Sequence, residues 1–321
     1  METAPYLEQA LARYDLGDTP PAATFIRHNE NITYRVTAGE SSYLLRIHKP
    51  IEGFSLGLLE ADCAKESLVN GEMEMLLHLA SEGIPAQRPV RSRSGGYVSS
   101  LSDGTPCTLL EWLPGESLEQ VPLPECFGGS FGGMLGRLHR SLKGLPDNLP
   151  RYRYDSALMG RMNSALLSAA EEGHITETQS DSCRRAVDII RRTMEELEGT
   201  EDFGLCHSDL SKSNTLLTGH GIVPIDFSLS GYSCQVMDLG MVFSQYEDAE
   251  LQRDILSGYE GETGRRVPVR HIQPFYALSV LLFIACQHGR FYREDWFPGA
   301  MARWCGTIFD PLAEGKQFIL N

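Results

Sequence analysis

Between the apolar runs Phe203-Gly204-Leu205-Cys206 and Thr215-Leu216-Leu217 the chain carries His207-Ser208-Asp209-Leu210-Ser211-Lys212-Ser213-Asn214, and twelve residues after Asn214 stands Asp226, within Ile225-Asp226-Phe227. Polar side chains at fixed offsets between packed strands leave few backbone paths open. Gly219-His220-Gly221 supplies a turn and Ile222-Val223-Pro224-Ile225 a second strand, so the region reads as a hairpin flanked at its open end by Asn214 and Asp226.

The residue types point to one chemistry. Moving a γ-phosphoryl group asks little covalent work of a protein and much positioning and charge neutralisation, so it needs a carboxylate at the attacking hydroxyl and oxygen ligands for Mg²⁺. Asp209 suits the first task, Asn214 and Asp226 the second, since Mg²⁺ takes hard oxygen donors and keeps waters and phosphate oxygens for the rest of its shell. Singly, each residue has a plainer explanation: a loop Asp or Asn caps a turn, and a lone His is a satisfied structural group. Four matched polar positions in order outweigh that explanation. His207 joins Asp209 and Lys212 in the catalytic set, its own part being to orient the loop rather than to touch substrate.

These residues resemble the catalytic and metal-binding loops of the aminoglycoside phosphotransferase and choline kinase superfamily, distant relatives of the protein kinases. The shared pattern is H-x-D-x-x-x-x-N, then a hydrophobic residue and Asp. Asp226-Phe227 is followed by Ser228 rather than Gly, Lys212 stands one place later than the protein-kinase lysine, and no A-P-E signature follows, which favours the small-molecule branch. The resemblance implies an α+β, protein-kinase-like two-lobe fold. Residues 1–113 would be a small antiparallel β lobe with one helix that binds nucleotide, and residues 114–321 a larger, mostly helical catalytic and substrate-binding lobe. It further implies Mg²⁺, ATP or GTP as co-substrate, and transfer to a hydroxyl of an aminoglycoside-, choline- or homoserine-like acceptor, with Lys212 stabilising charge on the transferred group.

Three strands are expected near residues 24–27, 32–36 and 42–48. In the resemblance the first turn, here His28-Asn29-Glu30-Asn31, lies over the phosphates with Asn29 at its tip, and the third strand carries a phosphate-binding lysine. Alternation puts Leu44, Arg46 and His48 on one face, so Arg46 stands at the lysine position. Arginine keeps the charge and can fork onto phosphate or carboxylate. The alternative is an exposed strand arginine, and the turn lacks G-x-G-x-x-G. A helix follows in which Glu72 shares a face with Met75, Leu76 and Leu79, ending near Gly83 and Pro85. A carboxylate on an apolar face wants a partner, and the resemblance names the strand cation, Arg46; Glu74 or Glu60 takes this place if the helix phase differs. The run Thr108-Leu109-Leu110-Glu111-Trp112-Leu113 resembles a hinge, where backbone groups of Glu111 and Leu113 would bond the adenine edge. Trp112 would contact the base or pack in the core.

Phe131, Met134, Leu135, Leu138 and Leu142 form the stripe of a first helix of the larger lobe, in which His139 is packed. Two more helical patterns fill residues 156–198, and others run near residues 245–259, 271–288 and 292–309. Asp238 suits a helix N-terminus. Glu247, Asp248, Glu250, Asp254, Glu294 and Asp295 fit either a cationic pocket or a solvated face.

A net charge of −15 argues against a nucleic-acid partner and allows a cationic acceptor. The eight cysteines are scattered without a C-x-x-C pair, as expected of reduced thiols in the cytoplasm. The longest apolar run, twelve residues at 275–286, falls short of a bilayer core of about 30 Å, and Met1-Glu2-Thr3 lacks signal-peptide features, so no membrane partner is expected. Oligomeric state is not legible. Two rival functions remain at this stage, a Ser/Thr protein kinase on the same fold and a nucleotide-binding pseudokinase suggested by Arg46 and the missing glycine loop.

Overall fold

The computed structural model describes residues 4–52, 57–59 and 63–321. Met1, Glu2, Thr3 and Glu60 lie outside the described residues. The chain forms two compact units, one of Met1–Ser55, Ala61–Gly115 and Asn148–Arg151, the other of Leu56–Glu60, Glu116–Asp147 and Tyr152–Asn321. The division thus falls at Gly115 rather than after residue 113, and the short segment Asn148–Arg151 returns to the first unit. Its return has a local cause: the Arg151 guanidinium donates to the Leu68 carbonyl at 2.8 Å. A Cβ on Gly71 would lie 2.3 Å from the Pro150 oxygen, so only glycine admits that approach.

The first unit contains α1 (Ala4–Leu11), β1 (Ala22–His28), β2 (Ile32–Ala38), β3 (Ser41–Ile47), α2 (Lys65–Ser81), β4 (Val98–Ser100) and β5 (Pro106–Glu111). The strands form one antiparallel sheet in the order β1-β2-β3-β5-β4. Alternation sorts β3 as expected: Leu45 and Ile47 join Tyr34, Val36, Cys107 and Leu109 in the core on one face. The opposite face is buried too, because α2 packs on β4 and β5. Arg46, opposite Thr108 in the ladder, is only 3% exposed, which removes the exposed-arginine alternative.

In the second unit, β6 (Glu116–Ser117) pairs with β9 (Thr215–Thr218), which forms the expected hairpin with β10 (Gly221–Pro224). A second small sheet joins β7 (Tyr152–Arg153), β11 (Gly231–Cys234) and β8 (Phe203–Cys206). Helices make up the rest: α3 (Phe127–Leu142), α4 (Ser156–Glu171), α5 (Glu177–Leu197), α6 (Val236–Gln245), α7 (Ala249–Thr263), α8 (Val269–Phe291), α9 (Phe297–Trp304) and α10 (Asp310–Ala313). The helix expected from residue 245 begins only at Ala249, where the Asp248 carboxylate accepts the Leu251 N–H at 2.8 Å and caps it. The apolar run at 275–286 is part of a longer helix: α8 has 23 residues and meets the length and hydropathy of a membrane span, with more than half of its apolar stretch buried. It packs against α4, α5 and α6, and among its buried residues are His271 and Gln273 as well as Phe275 and Leu281.

Candidate active site

The loop after β8 is shaped by a carboxylate behind it. Asp238, in the first turn of α6 and wholly buried, accepts the N–H groups of His207 and Ser208, each at 2.8 Å. Two consecutive amides aimed at one carboxylate bend the chain sharply, and Ser208 takes a φ of 68°. The left-handed conformation costs a non-glycine residue about 1–2 kcal/mol, which charge-assisted bonds of this kind offset. His139 of α3 bonds the same carboxylate through Nε2 at 2.9 Å, and its Nδ1 meets the Tyr259 hydroxyl at 2.9 Å. Burial pushes the Asp238 acid upward, but His139, His207 and the Ser208 amide outweigh it and hold the group below its ordinary range. The helix-terminus expectation for Asp238 was therefore incomplete. Its clue was a carboxylate inside the apolar stretch Met237-Asp238-Leu239-Gly240-Met241-Val242, where an unpaired charge would not be tolerated.

His207 is fully buried, and burial lowers its pKa, leaving a neutral imidazole. Nε2 donates to the Ile225 carbonyl at 3.1 Å, which leaves Nδ1 to accept the Asp209 N–H at 3.3 Å. The ring also packs on Phe227, with centroids 4.4 Å apart. It ties the base-bearing loop to the strand end before Asp226 and has no ring nitrogen left for substrate, so its place is that of a positioning residue.

Asn214 closes the loop. Its Nδ2 donates to the Asp209 Oδ2 at 2.7 Å and to the Asp209 carbonyl at 3.1 Å, while its own carbonyl accepts the Ile225 N–H at 2.9 Å. With the amide nitrogen committed, Oδ1 is the remaining donor, a hard oxygen. Asp226 follows Ile225 with φ 64° and opens a short 3₁₀ turn, Phe227–Leu229. One amide oxygen and one carboxylate form a donor set that fits a divalent cation such as Mg²⁺. The neighbouring 3₁₀ turn, Lys212–Asn214, sends the Lys212 ammonium over the Tyr246 ring at 4.7 Å from its centroid.

In the first unit Arg46 and Glu72 form the expected ion pair, 3% and 2% exposed, while Glu74 faces outward on α2. His48 lies on the Arg46 side of the sheet and bonds the Thr108 hydroxyl at 3.1 Å. Burial first, then Arg46, Lys65 and Arg151, drive its pKa far down, so it adds no charge to that cluster. Asn29 sits exposed on the β1–β2 turn, its carbonyl bonded by the Ile51 N–H at 2.7 Å. The Glu111 N–H is taken by the Arg88 carbonyl at 2.8 Å, whereas Leu113 N–H has no backbone partner among the described residues. The Glu111 amide is thus corrected as a base contact, leaving its carbonyl and the Leu113 amide. Trp112 is half-buried with the Arg35 guanidinium 4.5 Å above its ring, which is not core packing.

An antiparallel N-terminal sheet with a buried Arg–Glu pair, and a larger helical unit presenting Asp209, Asn214 and Asp226, define a small-molecule phosphotransferase of the protein-kinase-like fold. Residues 22–268 match the APH phosphotransferase enzyme family, and the chain belongs to it. Among its relatives, the amicoumacin kinase of Bacillus subtilis (strain 168) is 24% identical over 243 residues, 74% of this chain and 66% of that protein. The homoserine kinase of Methylobacillus flagellatus is 26% identical over 245 residues, 75% of this chain and 68% of that protein. Among solved structures, a microcompartment-associated aminopropanol kinase superposes with a TM-score of 0.77 at 21% identity, covering 99% of this chain and 100% of that one. An amicoumacin kinase in complex with AMP-PNP and Ca²⁺ superposes with a TM-score of 0.75 at 20% identity, covering 99% and 95%.

Proposed function

We propose that the protein transfers the γ-phosphoryl group of ATP to a hydroxyl of a small amine-bearing molecule in the cytoplasm, with Mg²⁺ as the metal. The observation that carries this reading is the Asn214 side chain: one amide orients the Asp209 carboxylate through Nδ2 and leaves Oδ1 for a cation. Asp209 takes the proton of the acceptor hydroxyl as its oxygen bonds to the γ-phosphorus and the bond to ADP breaks. Asn214 and Asp226 would hold Mg²⁺, which neutralises the phosphate oxygens. Arg46, with Glu72 as its counter-ion, meets the α- and β-phosphates, and Lys212 faces developing charge on the transferred group. Glu111 carbonyl and Leu113 amide read the adenine edge, and Asn29 sits in the turn over the phosphates. The relatives named for homoserine and aminopropanol support an acceptor with both an amine and a hydroxyl. The pseudokinase alternative is weakened because Arg46 keeps both the charge and the carboxylate partner.

The test is nucleotide consumption, with ATP and GTP supplied separately, against homoserine, 1-amino-2-propanol, amicoumacin and a protein substrate. Asp209→Asn should lower kcat by about two orders of magnitude or more with the best acceptor, the usual scale for a lost general base, while Mg·AMP-PNP still binds. Unchanged turnover would remove Asp209 from the mechanism, and transfer to the protein alone would favour the protein-kinase alternative.

A further inference from the structure

The second unit contains a cavity of about 680 Å³ whose lining includes both chain neighbours of Tyr246, the residue that lies under Lys212 of the catalytic loop. Lys212 lies over the Tyr246 ring, and the residues on either side of Tyr246, Gln245 and Glu247, line the cavity. Helix α6 is therefore a short rod of ten residues, roughly 15 Å long at its ordinary rise. Its first turn braces the loop through Asp238, and its last turn opens onto the cavity. The far walls come from α8, α9 and the C-terminal residues, beyond the stretch that matches the family.

Three properties of the walls restrict what fits. The volume is that of a site for a drug-sized ligand, about 300–1,000 Å³, so a four-carbon amino alcohol would leave most of it to water. Aromatic rings of Tyr276, Phe283, Trp304 and Phe318 face it, in edge-to-face pairs with centroids 5.5 Å (Tyr276 and Phe318) and 5.9 Å (Phe283 and Trp304) apart. Such rings favour an aromatic or alicyclic body in the ligand. Finally, one carboxylate, Glu247, and one guanidinium, Arg303, share the lining, and neither enters an ion pair among the described residues. Both act on the Tyr276 hydroxyl, whose pKa is raised first by burial and then by Glu247, with Arg303 opposing. Of the acidic residues weighed for a cationic pocket, Glu247 alone lines this cavity; Asp248 is committed to the α7 cap.

We propose that this cavity is the acceptor site and that it selects a ring-bearing alcohol carrying an ammonium group for Glu247 and an anionic group for Arg303. The assignment rests on the phosphotransferase reading above and narrows its acceptor from an amine-bearing alcohol to an amphipathic zwitterion. An exposed charge is worth little alone, so discrimination comes from both charges acting on one ligand held against the aromatic walls.

Four probes separate the features. 3-Phenylserine has ring, ammonium, carboxylate and hydroxyl; threonine lacks the ring, 2-amino-1-phenylpropan-1-ol the carboxylate, and 3-hydroxy-3-phenylpropanoate the ammonium. With wild-type protein, ATP and Mg²⁺, ADP release should show kcat/KM for phenylserine at least tenfold above each of the others. Arg303→Met should abolish the advantage over the amino alcohol, and Glu247→Gln the advantage over 3-hydroxy-3-phenylpropanoate. Threonine or the amino alcohol matching phenylserine, or both variants keeping the wild-type preferences, would overturn the proposal. So would transfer to none of the four while calorimetry shows Mg·AMP-PNP bound to the wild type, an outcome that leaves the phosphotransferase reading standing. Absence of both nucleotide binding and transfer would bring down that reading and this one together.

Discussion

Asp238 accepts from three donors, the N–H groups of His207 and Ser208 and the His139 ring, with no exposure to water. Asparagine is nearly the same shape but would turn an NH₂ toward one of those donors. Asp238→Asn should therefore cost about 1.5–3 kcal/mol, the range for hydrogen bonds to a buried charged group, read as a lower urea midpoint. An unchanged midpoint would mean that the bent loop holds itself. Arg46 poses a different question, since it is buried against its ion-pair partner Glu72 on the sheet face opposite Leu45 and Ile47. Arg46→Met should raise the nucleotide KM strongly, and Arg46→Lys should keep part of the activity because charge survives and the fork does not. A wild-type KM for the methionine variant would sink the phosphate assignment while leaving Asp209, Asn214 and Asp226 in place. Asp209, Asn214 and Asp226 were legible because each must be a given residue type at a given offset. Asp238 and His139 were not, because they lie 99 residues from each other, and His207 and Ser208 lie 31 and 30 residues from Asp238, so only folding brings them together.

At the scale of elements, α3 and α7 pack without the usual side-chain spacer. A Cβ on Gly132 would stand 1.9 Å from the Ile255 carbonyl, and one on Gly258 would stand 2.3 Å from the Gly129 carbonyl, so these backbones touch. This close fit seats His139 of α3 against Tyr259 of α7, and through His139 it supports Asp238. Gly132→Ala should destabilise by about 1–3 kcal/mol through overpacking, read by thermal or urea unfolding. Gly129→Ala, whose added methyl meets nothing within 4 Å, should instead be neutral or stabilise by about 0.5–1 kcal/mol from helix propensity. Equal effects would show that propensity, not contact, governs this helix. The long helices were legible from their apolar stripes. The strands β6, β7 and β11 were not, since two to four residues carry no period and exist only because a neighbouring strand pairs with them.

For the whole molecule, two buried histidines set the response to acid. His48 and His207 are both held below their ordinary pKa, first by burial, so the folded protein binds fewer protons there than the unfolded chain. Stability should hold above the unfolded value of about 6.5 and fall as pH drops through the window beneath it. Thermal midpoints at pH 7.5 and 5.5 check this, and His48→Gln should flatten the difference; a midpoint independent of pH in this range would refute it. The sequence by itself determined the family loop and the hairpin that sets Asn214 beside Asp226; the pairing of Arg46 with Glu72 came from the family resemblance, and α1, a second helix beside α2 in the first unit, was not legible. The loop and the hairpin are consequences of short-range periodicity and of side-chain chemistry at fixed offsets. Only the tertiary structure decided that Asp238 bends the catalytic loop, that Asn214 orients Asp209, and that Glu247 and Arg303 share one cavity. A buried donor, a charge or a cavity wall is satisfied by whichever group the packed chain brings to it, and sequence distance does not encode that meeting.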